Sequence, residues 1–416
     1  MPFLNSLKLD GILSFPPGSE AIPLTPLNVL IGPNGSGKSN LIEGIELLRS
    51  LPTGFASAIR QGGGVQEWLW KGDPSLDVAR IEVEVEQVIL GQFLHLPLGK
   101  RPAIRYEIEF APLGPYVEIT NEIIQDAFPS SIETEEQRFY YRLEGGISVI
   151  SAKTVPGSLT QTALGLNGGD LRDQRNLDPK SLKLYESILM QVKDSQAYPE
   201  LTELGQRFAQ IQTFREWNFG PGSEVRQFQR TDMPTEALLP DSRNLGLLLN
   251  QLDHSDRWSE FNEYLSRFLP RFQRYSTRVE SGTVQFYLHE KGMRLPIPAK
   301  RLSDGTIRFI AILAQLLSPT PPPLICMEEP ELGLHPDAVA LLAELLHEAS
   351  SRTQLIVTTH SDALVSALTE YADSVLVCEY LGGTVMKRVD SSKLKFWLDK
   401  YSLGEIWRIG EIGGNP

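Results

Sequence analysis

Gly32-Pro33-Asn34-Gly35-Ser36-Gly37-Lys38-Ser39 is the stretch from which the rest of this chain can be read. It follows a short apolar run at 27–31 and opens a helical pattern at 39–48 that sets Leu41, Ile45 and Leu48 on one face. Strand, glycine-rich loop and helix are the setting that G-x-x-x-x-G-K-[ST] needs to act as a P-loop. Glycines let the backbone wrap closely enough for its N–H groups to meet phosphate oxygens, and a helix N-terminus adds positive potential. Asn34, Gly35, Ser36, Gly37 and Asn40 are therefore expected to line a phosphate cradle. Lys38 is expected to reach the β- and γ-phosphates, and the Ser39 hydroxyl to be a Mg²⁺ ligand. ATP and Mg²⁺ are the implied ligands.

The partner signal is Leu324-Ile325-Cys326-Met327-Glu328-Glu329-Pro330-Glu331. Four apolar residues predict a buried strand whose C-terminal tip turns carboxylates toward the P-loop. Glu328 takes the Mg²⁺-linked position, and Glu329 is placed to orient or deprotonate an attacking water. Glu331 is a rival for that base role. A solvated acidic turn is the plainer reading of such residues, and the P-loop is what argues against it.

Arg301-Leu302-Ser303-Asp304-Gly305-Thr306 precedes an apolar helix. Taken alone, Ser303 is a helix cap. Its place just ahead of the acidic strand marks Ser303 and Gly305 as candidates for a further role. Thr358-Thr359-His360-Ser361 closes the next apolar run, where a lone histidine is most simply structural. Leu334-His335-Pro336-Asp337 reads as a helix start with proline in its first turn.

Between the P-loop and the Ser303 loop, residues 80–90 and 105–110 alternate apolar and charged side chains as solvated antiparallel strands do. Residues 139–143 and 147–151 flank a Gly-Gly turn as a hairpin, and 11–15 reads as a short strand. Residues 181–192, 200–212, 245–252 and 258–268 read as helices without a sustained heptad, which excludes a long coiled coil. The implied division is 1–152 with the P-loop and an antiparallel lobe, 153–280 as a helical insertion, and 281–416 with the remaining motifs. Arg267, Arg271, Arg274 and Arg278, interleaved with aromatics, read either as a nucleic-acid stripe or as the solvated end of an amphipathic helix. Arg215, Arg226 and Arg230 carry the same two readings. The 39 basic and 52 acidic side chains give a net charge of −13, which opposes strong DNA binding by this chain alone. Apolar runs too short for a membrane span, no export signal and only two cysteines point to a cytoplasmic protein with no membrane partner.

The motif order P-loop, Ser303 loop, acidic strand, histidine resembles the ATP-binding-cassette superfamily, specifically its SMC/RecF/OLD branch. The runs 302–306, 328–331 and 334–336, with the tail at 404–414, are similar to a bacterial subfamily of predicted ATPases often grouped as AAA-type. Two departures stand out: LSDGT in place of LSGGQ, which recurs in that subfamily, and Glu328 where Asp is usual. The resemblance implies an α/β cassette-type ATPase head with an antiparallel β lobe and a helical insertion. It implies an ATP-driven head-to-tail homodimer in which Glu329, His360 and Lys38 serve catalysis. In that dimer Ser303 and Gly305 bind the γ-phosphate held by the other subunit, His360 contacts the γ-phosphate of its own subunit, and the loop at 334–337 crosses the interface. It also implies a glutamine that senses Mg²⁺, for which Gln191 is the candidate and Gln161 the alternative. Bacterial DNA maintenance or anti-phage defence is the implied setting. The residues after His360 are too few for a Toprim domain, so a nuclease of Toprim or other type is expected as a separate effector. A transporter's nucleotide-binding subunit and a non-hydrolysing ATP-gated scaffold are the alternatives.

Overall fold

Strands that are apolar on both faces must be covered on both, and the computed structural model shows how this chain does so. It describes residues 2–86, 103–128, 138–153, 172–178 and 182–414. The chain begins with β1 (Leu4–Asp10), β2 (Ile22–Pro23) and β3 (Leu27–Ile31), then α1 (Lys38–Ser50). There follow β4 (Ala79–Glu86), β5 (Ala103–Leu113), β6 (Tyr116–Asp126), β7 (Phe139–Glu144), β8 (Ile147–Lys153) and β9 (Arg172–Leu177). These join β1 and β2 in an antiparallel sheet of order β2-β1-β4-β5-β6-β7-β8-β9.

The second sheet is the scaffold of the site. It takes β10 (Gln212–Phe214), β15 (Leu324–Glu328), β16 (Gln354–Thr358), β17 (Val375–Tyr380) and β18 (Thr384–Arg388), in the order β10-β15-β16-β3-β17-β18. All its pairs are parallel except β17–β18. Alternate residues go to opposite faces, as the two-residue period of a strand requires. Val29, Ile31, Ile325, Met327, Leu355 and Val357 enter one core, which α2 (Asp304–Leu316) and α3 (Pro336–Ala349) complete. Leu30, Leu324, Cys326 and Ile356 enter the other, with Leu41, Ile45 and Leu48 of α1 and Ile81, Val83 and Ile108 of the antiparallel sheet. Each such aliphatic side chain contributes about 1.5–3 kcal/mol on burial. Gln354 fastens the N-terminal strand to this layer: its carboxamide accepts from Phe3 and Leu4 N–H and donates to Leu4 and Thr25 carbonyls.

A small antiparallel sheet of β11 (Gln229–Arg230), β12 (Phe272–Glu280), β13 (Thr283–Glu290) and β14 (Ile297–Pro298) carries the chain up to the Ser303 loop. The helix Trp258–Phe268 docks beside α2, where Phe268 stacks on Phe309 with ring centroids 4.0 Å apart. No described helix is long and apolar enough to cross a membrane.

Several local expectations need correction. Residues 11–15 are a turn, not a strand, because Gly11 and Leu13 both take positive φ (69° and 52°) and Ile12 bridges to Phe15. Of the described residues 182–192, only Ile188–Gln191 is α-helix. Ser187 caps that turn from an extended backbone, while Leu184 is held to Ile119 by a backbone hydrogen bond. The arginine stripe is no helix end beyond Phe268: Arg274 and Arg278 lie on β12. Arg267 pairs with Glu344, Arg271 with Glu290 and Arg278 with Glu280, which favours the solvated reading. The antiparallel sheet runs on past residue 152 to β9, and the β12–β13 hairpin spans residue 280, so the elements do not divide at those positions.

Candidate active site

The loop after β3 has glycines where a side chain has no room. A Cβ on Gly32 would stand 2.2 Å from the Cys378 carbonyl oxygen, and one on Gly37 2.0 Å from Thr384 Oγ1, with φ at 142° and 96°. Gly37 caps α1 without a side-chain hydrogen bond, and the first turn holds no acidic residue. The turn's N–H groups are therefore free of a competing carboxylate and suited to an anion. Ser36 Oγ is buried with no hydrogen-bond partner among the described residues. Lys38 is buried too, and its ammonium donates to the Gly32 and Pro33 carbonyls at 2.7 and 2.9 Å. Burial lowers its pKa, against the nearby Cys378, Glu329 and Glu328, which raise it.

The parallel registers of β15, β16 and β3 bring the other motifs to this loop at the C-terminal edge of the sheet. A cleft of about 170 Å³ is lined by Asn34, Gly35, Gly37, Lys38, Ser39, Asn40, Glu328, Glu329, Thr358 and His360. Burial raises the Glu328 pKa, while Arg215 and a hydrogen bond from Ser39 act in the opposite direction. Glu329 has a left-handed backbone with φ 45°. Its N–H donates to the Thr358 carbonyl at 3.0 Å, and its own carbonyl accepts from Leu332 N–H and Arg308. Glu329 Oε1 lies 3.9 Å from His360 Nε2. The His360 pKa is lowered by burial and by Lys38, so the ring is neutral at pH 7 despite the opposing Glu329.

Glu331, the rival base, is buried and absent from the cleft lining. Its carboxylate accepts from the Thr359 hydroxyl, and burial raises its pKa. It braces the residue before His360 and does not face the cleft.

Ser303 and Gly305 stand outside the cleft. Ser303 Oγ accepts from Thr306 N–H at 3.1 Å, which is the capping role, and its side chain is exposed. Capping leaves the hydroxyl at the surface, where another molecule can reach it. Gly305 sits where a Cβ would meet the Gly333 carbonyl at 2.5 Å. His335 Nδ1 accepts from Asp337 N–H, so it is the cap of α3.

Gln191 is not at the site. Its carboxamide is spent on the backbone of Lys183 and Glu186, at 2.8–3.1 Å. Gln161 lies outside the described residues. The place beside Glu328 belongs to Arg215, whose Nε donates to Glu328 Oε1 at 3.1 Å. Sequence reading grouped Arg215 with Arg226 and Arg230; the preceding run Ile211-Gln212-Thr213-Phe214 is apolar only at its ends and gave little strand signal. Arg226 was also missed. It is buried and binds the Phe219, Ala299 and Leu302 carbonyls and Asp304, tying the segment after β10 to the Ser303 loop.

The donor set fits Mg²⁺. No described cluster of three His, Cys, Asp or Glu could hold a metal. Mg²⁺ commonly takes one or two carboxylates with substrate phosphates and water, and the bonded Ser39–Glu328 pair supplies a hydroxyl and a carboxylate beside the loop.

Comparison with known proteins bears on the family and the fold. The family model described as "AAA domain, putative AbiEii toxin, Type IV TA system" matches residues 27–91 and 197–366, more than half of the chain. The Old nuclease of Escherichia phage P2 is 32% identical over an alignment of 127 residues that covers 28% of this chain and 22% of that protein. The chain thus matches less than a quarter of that relative's length. Among solved structures, the Smc head bound to the C-winged helix domain of ScpA superposes with a TM-score of 0.54 at 14% identity, covering 94% of this chain and 99% of that one. A Pyrococcus furiosus Smc head with an extended coiled coil, bound to the C-terminal domain of ScpA, gives 0.53 at 14%, covering 96% and 99%. At such identity the likeness concerns the fold, which is that of an SMC head.

Proposed function

The chain belongs to the AAA-domain family described as putative AbiEii toxin, Type IV TA system, within the SMC/RecF/OLD branch of P-loop ATPases, and we propose that it is an ATP-hydrolysing switch. ATP clamps two copies head to tail, hydrolysis releases them, and a separate effector reads the change. One observation carries the reading: Lys38, Ser39, Glu328, Glu329 and His360 converge on a single cleft, while Ser303, exposed, and Gly305, half-buried in the first turn of α2, lie outside it. A site completed by a second copy of the chain needs that separation.

In this mechanism the first-turn N–H groups of α1 and Lys38 bind the triphosphate, and Lys38 exchanges the Gly32 and Pro33 carbonyls for phosphate oxygens. Ser39 and Glu328 would hold Mg²⁺, which would neutralise charge developing on the phosphates. Glu329 accepts a proton from the attacking water on a carboxylate held in place by its constrained backbone. Neutral His360 donates a hydrogen bond to the γ-phosphate. The match to part of the Old nuclease supports a setting in bacterial DNA maintenance or anti-phage defence, with the effector a nuclease of Toprim or another type. The net charge of −13 and the paired arginines support weak DNA binding by this chain alone.

The test is turnover with calorimetry. Lys38→Ala should abolish ATP binding, and Glu329→Gln should bind ATP, turn over very slowly and accumulate as an ATP-dependent dimer. Near-normal affinity in the first variant removes the P-loop role. A Glu331→Gln variant that stalls while Glu329→Gln turns over moves the base role to Glu331.

A further inference from the structure

Arg215 stands at the tip of β10, which runs parallel to β15 with Phe214 opposite Met327, so Arg215 and Glu328 emerge side by side. Its guanidinium is divided among three carboxylates. Nε donates to Glu328 at 3.1 Å, Nη1 to Glu46 at 3.2 Å and Nη2 to Glu43 at 2.8 Å. Glu43 and Glu46 are on α1, the helix that the P-loop opens. One cation therefore faces three potential anions, of which only Glu328 also lines the cleft.

The way the bonds are shared matters. Only Nε is committed to Glu328, so Glu328 can be surrendered while Nη1 and Nη2 stay anchored on α1. A guanidinium and a divalent cation on one carboxylate oxygen repel each other. From this arrangement we infer that Arg215 is the built-in counter-cation of Glu328, a positioning residue that holds this carboxylate in the metal-free chain and releases it when Mg²⁺ enters with the nucleotide. The inference rests on the reading of Glu328 as the metal-side carboxylate. Arg215 sets the Mg²⁺ concentration at which the nucleotide site becomes complete, so that nucleotide without metal leaves Glu328 engaged. Trp217 is placed to report the release. It lies two residues on, its indole N–H donates to the Glu328 carbonyl at 3.0 Å, and its ring stacks on Phe214 and Phe219.

The experiment is calorimetry of the full chain with adenylyl-imidodiphosphate over a series of MgCl₂ concentrations. Arg215→Gln should lower the Mg²⁺ concentration for half-maximal tightening roughly tenfold, because a like charge has gone, and Arg215→Lys should stay within about twofold of wild type. A structural salt bridge alone would weaken nucleotide binding equally with and without Mg²⁺. An Arg215→Gln midpoint that is unchanged or raised overturns the inference. Should that variant fail to fold, the wild-type chain carries the test through Trp217 emission, isolated by subtracting Trp217→Phe. MgCl₂ added to the nucleotide complex should shift it, and a signal indifferent to Mg²⁺ overturns the inference. If Glu328→Gln keeps the full Mg²⁺ dependence, the metal-side reading falls and takes the inference with it. If Glu328→Gln loses the dependence while Arg215→Gln changes nothing, the inference alone falls.

Discussion

Replacing Glu329 by glycine and by alanine separates the strain at this position from its chemistry. Glu329 has φ 45°, a region that costs an L-residue about 1–2 kcal/mol and glycine very little. Both substitutions remove the same carboxylate, and both keep the backbone bonds to Thr358, Arg308 and Leu332. The side chain is about one-third exposed, so neither leaves a core cavity. Only alanine retains the strain. Glycine gives back about 0.5–1 kcal/mol through its freer unfolded chain, and the glycine variant should be more stable than the alanine variant by about 1 kcal/mol. For 416 residues at about 2.1 cal/mol/K each, that is about 1 °C in Tm, readable by scanning calorimetry of the nucleotide-free proteins side by side. Turnover should be lost in both. An alanine variant as stable as the glycine variant, or more so, refutes the claim that the fold stores strain beneath this carboxylate.

His360 makes stability depend on pH. Its folded pKa is lowered by burial and by Lys38, so below the unfolded value near 6.5 the unfolded chain takes up more protons. Its contribution is present above that value and lost as pH falls through it toward the folded pKa. His360→Gln should therefore lose less Tm than wild type between pH 7 and pH 5, and an equal or larger loss would contradict the sign. DNA binding by the isolated chain should be weak and steeply salt-dependent. Reversal of Arg267, Arg271 and Arg274 to Glu should change it little in a filter-binding titration; tight binding at physiological salt that this reversal abolishes would contradict that reading.

How much was legible follows from how far apart the information lies in the chain. The P-loop, the acidic strand and His360 are each written in a few contiguous residues, and apolar runs mark their strands. The doubly covered parallel layer could thus be read, as could the strand tips at which the residues meet. Arg215 was missed because its strand is three residues long and matters only through its register with β15. Gln191 was chosen from residue type and order in the chain, and its carboxamide turns out to close a local loop. The choice between Glu329 and Glu331 was open on sequence, since both follow the same strand. Burial under Thr359 turns Glu331 away from the cleft. The run from Arg267 to Arg278 carries aromatics at spacings that suit a helix end, and pairing with β13 makes a strand of its second half.

The most direct test of the head-to-tail switch is a disulfide cross-link across two chains. Asn34→Cys in one and Arg301→Cys in the other place thiols at the exposed edges of the P-loop and the Ser303 loop. The native cysteines do not compete: both are buried, and burial pushes the Cys378 thiol up to about 12 and Cys326 higher still. In a Glu329→Gln background, with the two singly substituted chains mixed, the account predicts a cross-linked heterodimer that forms with ATP and Mg²⁺ and not without them, and that Lys38→Ala in the Asn34→Cys chain prevents. No cross-link between chains at any ATP concentration, together with an intrachain bond when both cysteines occupy one chain, would contradict it.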